Sequence, residues 1–296
     1  MTDNPTILIT GASGQLGQII LDQLLEANAQ NIIATTRSPE KLADYAAKGV
    51  EVRAADFDDP ESLATAFAGA DRLLLISTDA LGVPGKRLNQ HKAAVAAAQE
   101  AGVSHIAYTS LMNADNSPVT FAPDHDGTEK AIAATSMSYN ILRENLYMEL
   151  LIQELNMGLK SGSLYNARGE GKAAYVTRHD IARAAVADMT SSFDGRRTLD
   201  ITGPVALSSA EIAELASTIT GEPLKHVPVP LEGVIQGMVD AGVPQPVAEV
   251  FASFDTAIAQ GKLSPASSAV EDLSGTVPTS IADFLTAHKG ALLNAD

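Results

Sequence analysis

The sequence predicts an α/β protein: a Rossmann-type doubly wound parallel sheet followed by a smaller C-terminal α/β lobe. Three observations carry this. Residues 6–17, TILITGASGQLG, pass from a short β-branched run through a glycine-punctuated turn into helical spacing, with Leu16, Ile19, Ile20 and Leu24 on one face. Strand-like and helix-like segments then alternate in units of about thirty residues, the pattern of parallel strands joined by crossover helices. The run RLLLIST at 72–78 is almost continuously apolar, as a central strand covered on both faces requires.

The opening strand, turn and helix have the chemistry of a nucleotide pyrophosphate site. Gly11 permits the turn, Gly14 lets backbone N–H groups approach an anion, and Gly17 allows close packing of helix on strand. Gly11, Ala12, Ser13, Gly14, Gln15, Leu16 and Gly17 are therefore the candidate phosphate loop, at a helix N-terminus that favours negative charge. A second strand over 30–36 ends in Thr35-Thr36-Arg37-Ser38. No carboxylate stands there to bind ribose hydroxyls. Arg37 is instead suited to clamp a 2′-phosphate, with Lys41 adding charge, so the expected cofactor is NADPH, with NADH as the alternative.

A helix over 39–48 stops at Gly49, and a third strand over 50–55 leads to Asp56 and Phe57, placed to meet an adenine amino group and ring. Asp59 and Pro60 open a helix over 60–67. Ile76, Ser77 and Thr78 form the tip of the strand over 72–78 and face the nicotinamide half of a bound cofactor. Gly85-Lys86 lacks the upstream glycine and the following hydroxyl of a P-loop. There follow a helix over 88–101, a strand over 105–111, a loop over 113–124, a helix over 125–134 and a strand over 139–143. Beyond these lie a helix over 148–159, short strands over 162–167 and 172–176, a helix over 179–189, a strand over 197–201 and a helix from Ser208 to Thr220 with Glu211 completing a capping box. The chain after Gly221 is rich in small and proline residues. The expected division is a nucleotide-binding domain over 1–150, with 172–203 returning to it, and a substrate-covering lobe over 151–296.

Composition narrows the function. The net charge is −16, aromatics are 4% and Trp is absent, which argues against nucleic acid or an anionic membrane surface as partner. There are no cysteines, hence no disulfide, thiolate metal site or thiol nucleophile. The histidines at 91, 105, 179, 226 and 288 have no metal-ligand spacing; His105 reads as structural. No apolar run is long enough to span a membrane, and Asp3 stands where a secretory leader would be basic, so a cytoplasmic protein is expected. A homo-oligomer is compatible with this reading.

GASGQLG, TTR, DF, LLLIS, HIAYTSL, HDGTEKAI and YNILREN, in that order, resemble the NmrA-like atypical short-chain dehydrogenases, of the quinone and triphenylmethane reductase type. The resemblance covers residues 6–200 well and the remainder more loosely. It implies hydride transfer to a flat, electron-poor small molecule, a quinone or a dye. Residue by residue it matches Gly11 and Ser13–Gly17 to the phosphate loop, Arg37 to the 2′-phosphate ligand, Ser77 and Thr78 to strand-tip contacts, and Leu142, Arg143 and Asn145 to the strand beside the nicotinamide. Relatives often read Leu-Arg-Asn where this chain reads Leu142-Arg143-Glu144.

Ordinary short-chain dehydrogenases protonate their product with a Tyr whose pKa is lowered by a Lys four residues on. None of the six tyrosines, 45, 108, 139, 147, 165 and 175, has that Lys. The register of the relatives puts Phe121 and His125 in the two slots. A ketone would need the missing acid, whereas a quinone yields an anion whose conjugate acid resembles a phenol, pKa about 10. The expected function is therefore NADPH-dependent quinone reduction. The alternatives are a non-catalytic NAD(P)-sensing regulator that binds a protein partner and, more remotely, an isomerase or ether reductase on the same fold. His125 reads either as a donor at the pocket edge or as a solvated helix-start residue, and Tyr147 either as an acceptor contact or as core. Met238, Phe251 and Phe254 read as core in preference to pocket lining, and Glu129-Lys130 as solvent-facing.

Overall fold

The computed structural model describes residues 4–293; Asp3, with the expectation attached to it, lies outside them. In chain order the regular elements are β1 (Ile7–Ile9), α1 (Gln15–Glu26), β2 (Ile32–Thr36), α2 (Ala43–Ala47), β3 (Glu51–Ala54), α3 (Pro60–Phe67), β4 (Arg72–Leu75), α4 (Lys86–Glu100), β5 (His105–Leu111), α5 (Ala122–Ala133), β6 (Ser138–Glu144), α6 (Glu149–Ser161), β7 (Ser163–Asn166), β8 (Lys172–Ala173), α7 (Arg178–Thr190), β9 (Arg196–Ile201), β10 (Leu207–Ser208), α8 (Ser209–Thr220), β11 (Lys225–Pro228), α9 (Leu231–Asp240), α10 (Gln245–Ala259), α11 (Ala269–Ser274), α12 (Ile281–Ala287) and α13 (Lys289–Leu293).

Seven strands form one sheet in the order β3-β2-β1-β4-β5-β6-β9. β1 lies parallel to β2 and to β4, with Ile7 opposite both Ile32 and Arg72, and β2–β3 and β4–β5 are parallel too. The winding reverses between β1 and β4, which is where open α/β sheets bind ligands, beyond the carboxyl ends of the strands. Leu8, Ile33, Leu73, Ile106 and Ile141 from the strands pack with Leu63, Phe67 and Ala94 from the helices.

The element boundaries depart from the sequence reading for local reasons. β2 begins at Ile32 because Asn31 has φ +54° and turns the chain. β4 stops at Leu75 because the next amides turn to side chains: Ser77 N donates to Thr109 Oγ1 and Thr78 N to His91 Nε2. The helix expected over 39–48 is a 3-10 turn, Pro39–Leu42, followed by the short α2. α4 starts two residues early, straight after Gly85 at φ +74°. The capping box of Ser208 and Glu211 is present, as is the Asp59 cap on α3.

Contacts divide the chain into two units. One comprises the chain through Ala114, Pro123–Arg143 and Ile181–Leu199; the other comprises Asp115–Ala122, Glu144–Asp180 and the chain from Asp200. Residues 115–122, 144–150, 172–180 and 200–203, assigned from sequence to the nucleotide-binding domain, thus fall in the second unit. Among them, 144–150 and 172–180 are joined, Met148 N donating to Val176 O and Val176 N to Leu146 O. In that unit β7 pairs with β11 in parallel and β8 with β10 antiparallel. α9–α13 supply most of the rest.

Candidate functional site

The glycine loop in the first unit is built as its spacing predicts. Gly11 has φ +59°, a left-handed conformation that disfavours a side chain. A Cβ on Gly17 would lie 2.5 Å from Gly11 O and 2.7 Å from Ala12 Cα, so only glycine lets α1 start this close to the turn. Gly14 is the N-cap of α1 and contributes no side-chain bond, and the first turn carries no acid. The first-turn N–H groups, which have no intrahelical acceptor, therefore present donors at a positive helix end. Ala12 is buried and donates its N–H to Thr35 O at 3.1 Å; the Ser13 and Thr36 hydroxyls share a 2.8 Å hydrogen bond. Leu16 is buried on α1, whereas Gln15 is exposed.

Three buried threonines fasten the neighbouring strand ends. Thr10 Oγ1 accepts from Ile76 N at 2.9 Å and donates to Leu74 O; Thr35 Oγ1 donates to Ile9 O; Thr109 Oγ1 accepts from Ser77 N at 2.9 Å.

Arg37 is exposed at the end of β2, and Lys41 is exposed beyond it. Arg37, with Lys86 and Gln90, acts on Asp58: the Lys86 hydrogen bond first, then that from Gln90, with the Arg37 charge adding, holds the carboxyl below its ordinary value. A groove of about 430 Å³ opens here, lined by Phe57, Asp58, Val83, Lys86, Gln90 and Ala93. Phe57 thus lines a cavity, as a base-packing residue must. Asp56 is partly exposed, its Oδ1 accepting from Asp58 N within the same loop.

His125 is not solvated. It is 4% exposed, with Arg87 Nη2 donating to its Nε2 at 3.1 Å; the Nδ1–H therefore faces the Tyr108 hydroxyl at 2.9 Å. Burial, and then the charges on Arg87 and His91, hold its pKa well below 6.5. His91 belongs to the same network: its Nε2 accepts from Thr78 N and its Nδ1 lies 2.9 Å from Thr128 Oγ1, with a pKa lowered by burial and by Arg87 to about 3. Arg87 Nε also donates to Thr78 O and Gln90 Oε1 accepts from the Thr78 hydroxyl, so a neutral histidine, His91, a glutamine and an arginine hold the Thr78 tip, with His125 behind Arg87.

Glu129 is likewise not solvent-facing. It accepts from Ser110 Oγ at 2.6 Å and pairs bidentately with Arg143 at 2.9 and 2.6 Å; Lys130 alone of that pair points outward, to Asp126. Arg143 is thereby committed to a carboxylate, and Leu142 is fully buried.

In the second unit, the Asn145 side chain bonds the backbone, its Nδ2 donating to Leu263 O and its Oδ1 accepting from Leu146 N. Tyr147 donates to Glu144 Oε2 at 2.6 Å, a contact not anticipated from sequence, and the Arg178 guanidinium lies 4.6 Å from its ring centroid. Phe121 packs edge-on against Phe254 at 5.7 Å between centroids, whereas Phe251, expected in the core, is half exposed on α10. Among the described residues no group of His and carboxylate side chains could hold a metal ion, and no helix is long and apolar enough to cross a membrane.

Comparison with known proteins gives the family and the fold. A family model described as NAD(P)H-binding matches residues 11–192. Quinone oxidoreductase 2 of Escherichia coli (strain K12) is 33% identical over 281 residues, covering 95% of this chain and 97% of the relative. The structure of a Citrobacter sp. triphenylmethane reductase superposes with TM-score 0.90 at 36% identity, covering 97% of this chain and 99% of that one. The NADPH complex of the Escherichia coli quinone oxidoreductase superposes with TM-score 0.91 at 32% identity, covering 95% and 99%.

Proposed function

The chain belongs to the NAD(P)H-binding family, in its NmrA-like branch of the quinone-reductase type, and we propose that it uses NADPH to reduce a quinone-like planar acceptor by direct hydride transfer, without the Tyr–Lys pair of ordinary short-chain dehydrogenases. That it is an NAD(P)H-dependent oxidoreductase is the premise; the acceptor, the preference for NADPH and the residue roles are the proposal.

The observation that carries it is the first-unit loop. The close approach of Gly17 to Gly11 and Ala12, with uncapped N–H groups at the start of α1, fits a pyrophosphate. Gly11, Ala12, Ser13, Gly14, Gln15 and Leu16 would hold it through backbone donors and the Ser13 hydroxyl. Exposed Arg37, with no carboxylate in the preceding Thr35-Thr36, favours a 2′-phosphate, and Lys41 adds to the field. Phe57 and the groove beside it suit an adenine, with Asp56 at its edge. Ile76, Ser77 and Thr78, fixed by Thr10, Thr109 and His91, form a rigid tip for the nicotinamide half.

A bound nicotinamide supplies the hydride. The protein's part is positioning, which in well-oriented reactions accounts for several kcal/mol of the barrier, up to about 7–11. No tyrosine carries the Lys partner needed for a strongly basic alkoxide, which favours acceptors whose reduced form is a weak base or is neutral.

The test is oxidation of NADPH by para-benzoquinone with purified, flavin-free protein, followed by loss of reduced-nicotinamide absorbance. Saturable, protein-dependent turnover is expected. Tight NADPH binding without turnover of quinones or dyes would replace this reading with that of a regulatory sensor.

A further inference from the structure

The groove beside Phe57 combines an apolar lining with a charged pair. Phe57, Val83 and Ala93 line it, and of its lining residues Lys86 carries the positive charge and Asp58 the negative one. The two are joined, Lys86 Nζ lying 2.7 Å from Asp58 Oδ2, and both side chains stay accessible to solvent, at 39% and 48%. The other carboxylate oxygen is held from within the fold. Gln90 Nε2 donates to Asp58 Oδ1 at 2.8 Å, and Gln90, itself buried, accepts from the Thr78 hydroxyl at 2.8 Å. Asp58 is thus fixed on one side by a buried amide and met on the other by a movable ammonium. All of these residues belong to the first unit.

We propose that Lys86 is a second cation for the cofactor's 2′-phosphate and a determinant of NADPH preference, a reading that rests on the assignment of this groove to the adenine: Lys86 leaves Asp58 for the phosphate when it arrives and returns when it departs. The chemistry of the ligand supplies the placement. The 2′-phosphate is carried by the ribose carbon next to the one that bears the base. A base packed against Phe57 therefore brings the phosphate close to the same groove, within the sweep of a lysine on a flexible four-carbon stem. No covalent bond changes; one ion-pair partner is exchanged for another.

The exchange costs little. An ion pair this exposed is among the weak ones, whereas a hydrogen bond from an ammonium to a phosphate is charge-assisted and stronger. The Lys86 hydrogen bond, then that from Gln90, with the Arg37 charge adding, hold the Asp58 carboxyl below its ordinary value. Asp58 is therefore an anion at neutral pH and keeps Lys86 while no phosphate is present. Arg37 acts on the same carboxylate from the end of β2, so the two cations share one electrostatic neighbourhood. Gln90 keeps Asp58 in place once Lys86 has left. Without a 2′-phosphate the pair stays closed and nearly neutral, which leaves NADH able to enter at lower affinity. Lys86 is thus a specificity residue, and Asp58 acts through it.

Two nucleotides that differ in the 2′-phosphate alone isolate this contact from turnover: adenosine 2′,5′-bisphosphate and adenosine 5′-monophosphate, each titrated into the purified protein by calorimetry. Lys86→Met is expected to weaken the bisphosphate about tenfold, a charge-assisted bond less the surface pair it replaces, and the monophosphate less than about twofold. Asp58→Asn keeps an acceptor for Gln90 and removes the competing charge. It is expected to tighten the bisphosphate about two- to fivefold, the strength of an exposed pair, and to leave the monophosphate unmoved. Binding of the monophosphate reports that each variant is folded. Arg37→Ala in the same titrations tests the underlying reading. If it loses the bisphosphate selectively while Lys86→Met weakens both nucleotides alike, or neither, the exchange is overturned and the 2′-phosphate reading stands. Asp58→Asn overturns it equally by weakening the bisphosphate or leaving it unchanged. A wild type that binds the two nucleotides with equal affinity refutes the NADPH preference, and the role of Lys86 falls with it.

Discussion

Replacing Gly17 by alanine tests the phosphate loop with one methyl group. The new Cβ would sit 2.5 Å from Gly11 O, 2.7 Å from Ala12 Cα and 2.9 Å from Ala12 C, where ordinary contact begins at 3.4 Å. All three neighbours are backbone, so no flexible side chain can yield. Nor is α1 free to retreat, because Leu16, Ile20, Leu21 and Leu24 are buried beneath it and Ala12 is bonded to Thr35. Strain of this kind costs about 1–3 kcal/mol in stability. It also displaces the first-turn N–H groups from the anion they would bind, and losing one charge-assisted hydrogen bond is worth about 1.5–3 kcal/mol, roughly ten- to a hundredfold in Kd. NADPH titration by cofactor fluorescence and urea unfolding by circular dichroism measure the two effects; the chain has no Trp to interfere. Gly237→Ala in α9, where nothing lies within 4 Å, is the control and should gain about 0.4–1 kcal/mol. Wild-type NADPH affinity and stability in Gly17→Ala would refute the loop assignment.

Arg37→Ala should weaken NADPH by about ten- to a hundredfold while moving NADH little, as expected for one phosphate-bound guanidinium; equal losses, measured by paired titrations, would remove the 2′-phosphate assignment. Asp188 is buried between His105, at 2.8 Å, and Asn140, at 2.9 Å. Burial pushes its carboxyl up, but the His105 hydrogen bond and charge, with Asn140 and Arg72, hold it below its ordinary value. The stability it contributes is therefore present above the unfolded value of about 3.9 and lost as pH falls through the folded one, and Asp188→Ala should cost about 3–5 kcal/mol in urea unfolding near neutrality. His125→Ala should cost about 1–3 kcal/mol by leaving Arg87 and Tyr108 short of this partner, yet remove no limb from the pH profile of kcat, because His125 is neutral throughout the working range.

What was legible in the sequence was what is local. The conformation of the glycine loop could be read because its strand, turn and helix lie within one short stretch, and Gly11 and Gly17 are explained by backbone a few residues away. The place of Arg37, exposed just beyond β2, could be read because it depends only on where that strand ends. The network around His125 was not legible, because Arg87, His91 and Tyr108 come from α4 and β5 and no spacing relates them. Glu129 looked solvated for the same reason: Ser110 and Arg143 reach it from β5 and β6. The burial of Glu144 and its bond to Tyr147 were not legible, because they depend on how the chain turns after β6. The helices after β11 were the least legible. Their apolar residues alternate with Gly, Pro and Ala, and α9 buries none of its residues fully, so its periodicity carries little signal.

The threonines at positions 10, 35 and 109 have a consequence for ligand affinity. Where parallel strands splay apart at their ends, the backbone ladder runs out, and these hydroxyls continue it across β2, β1, β4 and β5. The amides of Ile76 and Ser77 are anchored by the Thr10 and Thr109 hydroxyls. On the proposed placement of the nicotinamide half against this rim, the conformational entropy of ordering it is surrendered during folding rather than at binding, and the free-energy gain of binding is not diminished by having to freeze a loop.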